Sequence, residues 1–192
     1  MANISLGLPQ SSTLMLPLFP QCVQTHVNTP LVYQFSTPFT RANAQNISQL
    51  NTTITPRTPT SRVLITVSMS YEVASVTTSI DSPQAGAFYL VRRVGGVATE
   101  IGSPVGPFGA RPYGLGGFDY DSNIGNNATT MANYGRSFLD TPNTTSSVTY
   151  ELWAYSTNTV SVYLTVNRNR TNDNNYYNPL VTSQMLLQEF FV

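Results

Sequence analysis

Few side chains in this sequence carry reactive or metal-binding chemistry, and their spacing leaves them without partners. The one cysteine, Cys22, stands four residues before the one histidine, His26. Two such ligands fall short of the four that a structural zinc site needs. Asp119-Tyr120-Asp121-Ser122-Asn123 opens like a calcium loop, with oxygen ligands on Asp119, Asp121 and Asn123. The sixth position is Ile124 where such a loop needs Gly for its sharp turn, and the twelfth is Thr130 where it needs a bidentate Glu. These three residues are thus a weak calcium candidate, and a turn-rich acidic loop explains them better. Acid–base hydrolysis needs paired carboxylates or a His beside a nucleophile, but the five Asp and four Glu are scattered. The expectation is a protein that is not an enzyme and takes no cofactor.

The elements that position these groups must be built with little charge. Charged residues make up 9% of the chain, against about 25% in an ordinary soluble domain, and all nine basic residues are Arg. Asn, Thr, Ser and Gln fill the polar positions, and neutral side chains cost less to desolvate against a partner than ionised ones. A formal net charge of zero removes the long-range attraction that nucleic acids and anionic membranes exert on their binders. Neither is an expected partner. Arg92-Arg93 and Arg168-Asn169-Arg170 read as solvated charges beside strands. A single cysteine permits no intrachain disulfide. The first basic residue is Arg41, and Pro17 interrupts the apolar run Leu14 to Phe19, so neither a signal peptide nor a membrane span is expected. Synthesis in a host cytoplasm follows.

Apolar residues recur with period two between Gly, Pro and Asn clusters, and no window has helical spacing over three turns. The chain is expected to be all-β, with strands at Leu31–Ser36, Asn51–Thr55, Arg62–Ala74, Gly86–Arg93, Val97–Ile101, Thr130–Phe138, Ser147–Tyr155, Val160–Val166 and Val181–Val192. About nine strands suffice for a two-sheet sandwich. Residues 1–29 differ. Leu6, Leu8, Leu14, Leu16, Leu18 and Phe19 sit among Pro9, Pro17 and Pro20, a pattern that cannot pair in a central strand. This segment is expected to be an extended attachment arm lying on its own domain or on a neighbouring subunit, with the domain proper at residues 30–192. Between Gly102 and Asn127 seven glycines alternate with Phe108, Tyr113, Phe118 and Tyr120, a candidate surface recognition loop. Along Ser147–Tyr155, Val148, Tyr150, Leu152 and Ala154 fit a core, whereas Thr149, Glu151, Trp153 and Tyr155 face the other way. Trp153 and Tyr155, together with Tyr163, are candidates for a subunit interface; a loop of the same chain is the competing cover.

Several segments resemble a jelly-roll family of phage and algal-virus structural proteins, related to the tumour necrosis factor and complement globular-head fold. Thr53-Ile54-Thr55-Pro56 followed by Ser61-Arg62-Val63-Leu64-Ile65 resembles its paired opening strands, with Arg62 where Lys is usual. Phe88-Tyr89-Leu90-Val91-Arg92 resembles its "F-x-L-x-R" strand, and Ser137-Phe138-Leu139-Asp140-Thr141-Pro142-Asn143-Thr144-Thr145-Ser146 resembles its most specific segment. There Asp140, Pro142 and Asn143 turn the chain, and Thr144 to Ser147 can satisfy turn backbone groups. The resemblance covers about residues 31–192 and implies a jelly-roll sandwich that forms compact homotrimers on the virion surface. Its expected partners are copies of itself and a major capsid protein or another virion protein, as a capsid decoration or cement protein. The alternative is the receptor-binding knob of a tail or head fibre, contacting host glycan or protein through Phe108, Tyr113, Phe118 and Tyr120.

Overall fold

The computed structural model describes residues 20–35, 41–75, 84–105, 113–120, 131–157, 161–168 and 180–191. Among the described residues twelve strands are found: β1 (Cys22–Val27), β2 (Leu31–Phe35), β3 (Gln45–Asn46), β4 (Thr52–Ile54), β5 (Arg62–Ser75), β6 (Gln84–Val94), β7 (Val97–Ile101), β8 (Gly116–Tyr120), β9 (Ala132–Asp140), β10 (Val148–Ser156), β11 (Val162–Val166) and β12 (Ser183–Phe190). All pairings are antiparallel. The first sheet runs β1-β12-β5-β11-β2, with β9 on the other edge of β5; the second runs β3-β10-β6-β7, with β4 beside β10 and β8 beside β6. The result is a two-sheet, jelly-roll-like sandwich.

Period-two alternation buries one face of each sheet. On β5, Val63, Ile65, Val67, Met69, Tyr71 and Val73 point inward; on β12, Met185 and Leu187 do the same. Opposite them the second sheet contributes Phe88 and Leu90 from β6 with Val148, Tyr150, Leu152 and Ala154 from β10, the four expected core positions. The β6–β7 hairpin turns through Gly95 and Gly96, whose φ of 55° and 85° suit a tight turn that side chains with a Cβ resist. At Gly86 a side chain would meet the Phe118 ring and the Tyr155 carbonyl, so the glycine lets β8 close over that end of the core.

Two departures from the sequence expectation concern where the domain begins and what the glycine-rich stretch does. Cys22–Val27, inside the segment expected as an arm, is a strand that pairs along its whole length with β12. The sandwich therefore takes in residues before 30, because Pro20 is the last proline before a period-two run that can pair. The arm residues Leu6, Leu8, Leu14, Leu16, Leu18 and Phe19 lie outside the described residues. Within the glycine-rich stretch, Gly116–Tyr120 forms β8 against β6.

Asn167 joins several segments where β11 ends. It is fully buried with φ 65°, and its side-chain amide donates to the Val27 and Thr29 carbonyls at 2.9 and 3.1 Å while its oxygen accepts from Ser183 Oγ. Its backbone N–H donates to the Ser70 carbonyl at 2.9 Å. An Asn tolerates this left-handed conformation better than most residues, and each polar group of Asn167 finds a partner.

Candidate functional site

The densest polar and aromatic cluster among the described residues covers the outward face of the second sheet. The alternation that buries Tyr150 and Leu152 sends Glu151, Trp153 and Tyr155 to this face of β10, and Ala87, Tyr89, Val91 and Arg93 to the same face of β6. The Trp153 indole stacks on Tyr89, with centroids 6.3 Å apart and planes 29° apart, and Tyr89 meets Tyr155 edge-on at 6.1 Å. Glu151 is only 5% exposed, because Arg93 lies across it with Nε and Nη2 at 2.8 and 3.1 Å from its two oxygens and Trp153 Nε1 donates to it at 2.8 Å. Burial pushes the Glu151 carboxyl up, but the bonds from Arg93 and Trp153 outweigh that and hold it below the usual carboxylate range.

The remainder of this face is roofed by the chain itself. Arg41, in the short 3-10 turn Arg41–Asn43, places its guanidinium 4.0 Å from the Tyr89 ring centroid, 4.2 Å from that of Tyr113 and 5.1 Å from that of Tyr155. It forms an ion pair with Glu100 on β7 and donates to the Tyr113 carbonyl at 2.6 Å. Tyr155 Oη accepts from the Tyr113 N–H at 2.6 Å and donates to the Tyr113 carbonyl at 2.9 Å. Burial lifts the Tyr89 phenol to about 12 even against the Arg41 charge. Arg41 therefore clamps the chain at Glu100 and at Tyr113, on either side of residues 106–112, onto the second sheet. Flat stacking combined with several fixed donors is what a guanidinium supplies and an ammonium does not.

Chymotrypsin sensitivity tests this clamp. Arg41→Ala is expected to lose about 1–2 kcal/mol of stability and to speed cleavage between Gly102 and Tyr113 about tenfold, with Arg41→Lys recovering less than half of the effect. Cleavage at the wild-type rate in Arg41→Ala would show that the clamp does not hold this segment.

The sequence candidates fall in different environments. Tyr155, expected outward at a subunit interface, is 3% exposed beneath Arg41 and Tyr113 of its own chain, so the competing cover is the one found. Trp153 is half-buried, and Tyr163 lines a groove of about 230 Å³ with Val32, Thr165 and Arg168 on the first sheet. Phe118, expected on a surface loop, is 3% exposed in the main core, its ring 4.9 Å from Phe88. Tyr113 is half-buried in the clamp, and Phe108 lies outside the described residues. Asp119 and Tyr120 belong to β8, where they pair with Ala85 and Gln84; Asp121 and Asn123 lie outside the described residues. Among the described residues no three His, Cys, Asp or Glu side chains come together as metal ligands.

Sequence inspection missed the ion pairs. Arg92 and Arg93, taken as solvated edge charges, are bound to Asp140 and Glu151, and Arg41, noted only as the first basic residue, is bound to Glu100. Alternation could have placed Arg93 and Glu151 on one face, but not as diagonal neighbours on adjacent strands, since they lie 58 residues apart in sequence.

With this geometry in place, the chain can be set beside known proteins. No protein-family model and no curated protein sequence matches it. Two viral structures are similar to it. One is of the Gx strain of infectious bursal disease virus, at 11% identity and a TM-score of 0.36; the other is the crystal structure of the VP2 subviral particle of infectious bursal disease virus, at 13% and 0.32. Each alignment takes in 100% of this chain and 43% of the other, so the chain spans less than half the length of either.

Proposed function

We propose that this chain is a non-enzymatic structural protein of a virus particle, exposed on the virion surface as a homotrimer. In this reading it decorates or cements the shell, and the residues before β1 tie it to a major capsid protein or another virion protein. One observation carries the reading. The three ion pairs given by the described residues take up Glu100, Asp140 and Glu151 as counterions to Arg41, Arg92 and Arg93, so these three carboxylates serve the fold. On the first sheet neutral Ser, Thr, Asn and Gln then dominate the outward positions, a surface suited to lasting protein contact. The segment from Ser137 to Ser146, with its resemblance to virion jelly rolls, supports the same assignment.

The experiment removes residues 1–19 and leaves β1 intact. The shortened protein is expected to keep its melting temperature and a native mass of three times its own chain mass, yet to fail to co-sediment with particles lacking the protein. Normal decoration by the shortened form would remove the attachment role. If the shortened form instead bound host cells and competed with adsorption, the chain would be a fibre knob recognising host glycan or protein.

A further inference from the structure

The two outward faces of the sandwich differ in charge. The second sheet's face carries Arg93 and Glu151 and is roofed by Arg41, Glu100 and Tyr113. On the first sheet, the outward positions of β5 between Arg62 and the buried Glu72 are Leu64, Thr66, Ser68 and Ser70, all neutral. The facing positions on β9 and β12 are neutral as well; the titratable side chains on the outward rows of the described residues lie toward the margins, with Cys22 and His26 on β1, Arg62 at one end of β5, the buried Glu72 toward its other end and Tyr163 on β11.

The polar groups of this face also bond to one another. Thr66 and Ser137 hydroxyls are 3.0 Å apart, Ser70 Oγ donates to Asn133 Oδ1 at 2.7 Å, and Gln24 Nε2 donates to Gln184 Oε1 at 2.6 Å. A polar side chain already bonded to its neighbour loses less when water leaves than one bonded only to water. Leu139 and Phe190 add exposed apolar surface at 46% and 44% exposure. Strand β5 is 14 residues long. At about 3.3 Å per residue, and with β9, β5, β12 followed by β11, and β1 followed by β2 as four strand columns about 4.8 Å apart, the whole face measures on the order of 850 Å². A standard stable interface buries about 800 Å² on each partner.

We infer that the outward face of the first sheet is where a second copy of this chain seats. Around a symmetry axis, residues near the axis meet their own counterparts, so a charged side chain there would face its own charge. A face with a neutral, internally bonded centre avoids that repulsion, and it offers charge-based recognition of an unlike partner little to grip there. The inference rests on the self-association proposed above and assigns it a surface.

The test places a charge at the centre of the face. Ser68 and Ser137 are exposed within a single chain, so Ser68→Arg and Ser137→Arg should fold normally, each checking the other against a folding defect. Sedimentation at micromolar concentration should show the wild type assembled and both variants at 21.0 kDa with unchanged melting temperatures, a roughly hundredfold or greater loss of association. Val97→Arg, on the opposite sheet's hairpin, should remain assembled. Assembled Arg variants, or a Val97→Arg protein that dissociates equally, would overturn the assignment of this face. A monomeric wild type would overturn the self-association reading itself.

Discussion

Phe118→Ala is expected to lower stability by about 3–5 kcal/mol, the cost of removing a buried aromatic ring and leaving a cavity. The residue belongs to β8, paired with Gly86 on β6, and is 3% exposed. Its ring packs against Phe88 at 4.9 Å and against Tyr71 at 6.3 Å, so one truncation takes contacts from both sheets at once. A urea titration followed by far-UV circular dichroism should show a much lower midpoint. A change within about 0.5 kcal/mol, as at an ordinary surface site, would instead put the ring on the exterior as a recognition residue. Gly86→Ala should act in the same direction, because the added methyl competes for the space that the Phe118 ring fills.

Asp140→Ala is expected to cost about 3 kcal/mol, toward the lower end of the range for breaking a buried ion pair, because the surviving Arg92 keeps some access to water. Asp140 ends β9 in the first sheet; Arg92 and Tyr150 belong to β6 and β10 in the second. Arg92 Nη1 lies 3.0 and 3.1 Å from the two carboxylate oxygens, and the fully buried Tyr150 hydroxyl donates to Oδ2 at 2.8 Å. This carboxylate thus bridges the sheets, and removing it strands a guanidinium and a phenol together. Tyr150→Phe deletes only the hydroxyl and should cost about 1 kcal/mol. In thermal unfolding, equal losses in Asp140→Ala and Tyr150→Phe would mean that the Arg92 pair contributes nothing.

Asp140 also illustrates how far a local motif reaches. Its place in a Leu-Asp-Thr-Pro-Asn turn was legible, and the turn forms: Asn143 has φ 53°, and Thr144 Oγ1 accepts from the Ser146 N–H at 3.0 Å. The role of the Asp140 side chain was not legible, since Arg92 lies 48 residues away. The same holds for Phe118. Glycines on both sides signalled a loop, but the absence of a side chain at Gly86 is what makes room for the strand.

Period-two alternation determined by itself that the chain is all-β, which residues of β10 form the core, and that Trp153 and Tyr155 share the face opposite to it. Alternation is local, because successive side chains of an extended backbone must point to opposite sides. Composition likewise determined that little charge would be available for any purpose. Only the tertiary structure decided which strands are neighbours, and with that everything depending on contacts between distant segments. Pairing with β12 drew Cys22–Val27 into the sheet, Arg41 covered Tyr155, and Arg92 and Arg93 met their carboxylates. It also gathered Thr66, Ser137, Ser70 and Asn133 onto one neutral face. Each of these joins segments whose separation in sequence carries no pairing signal, and the register that joins them is set by packing the whole core at once.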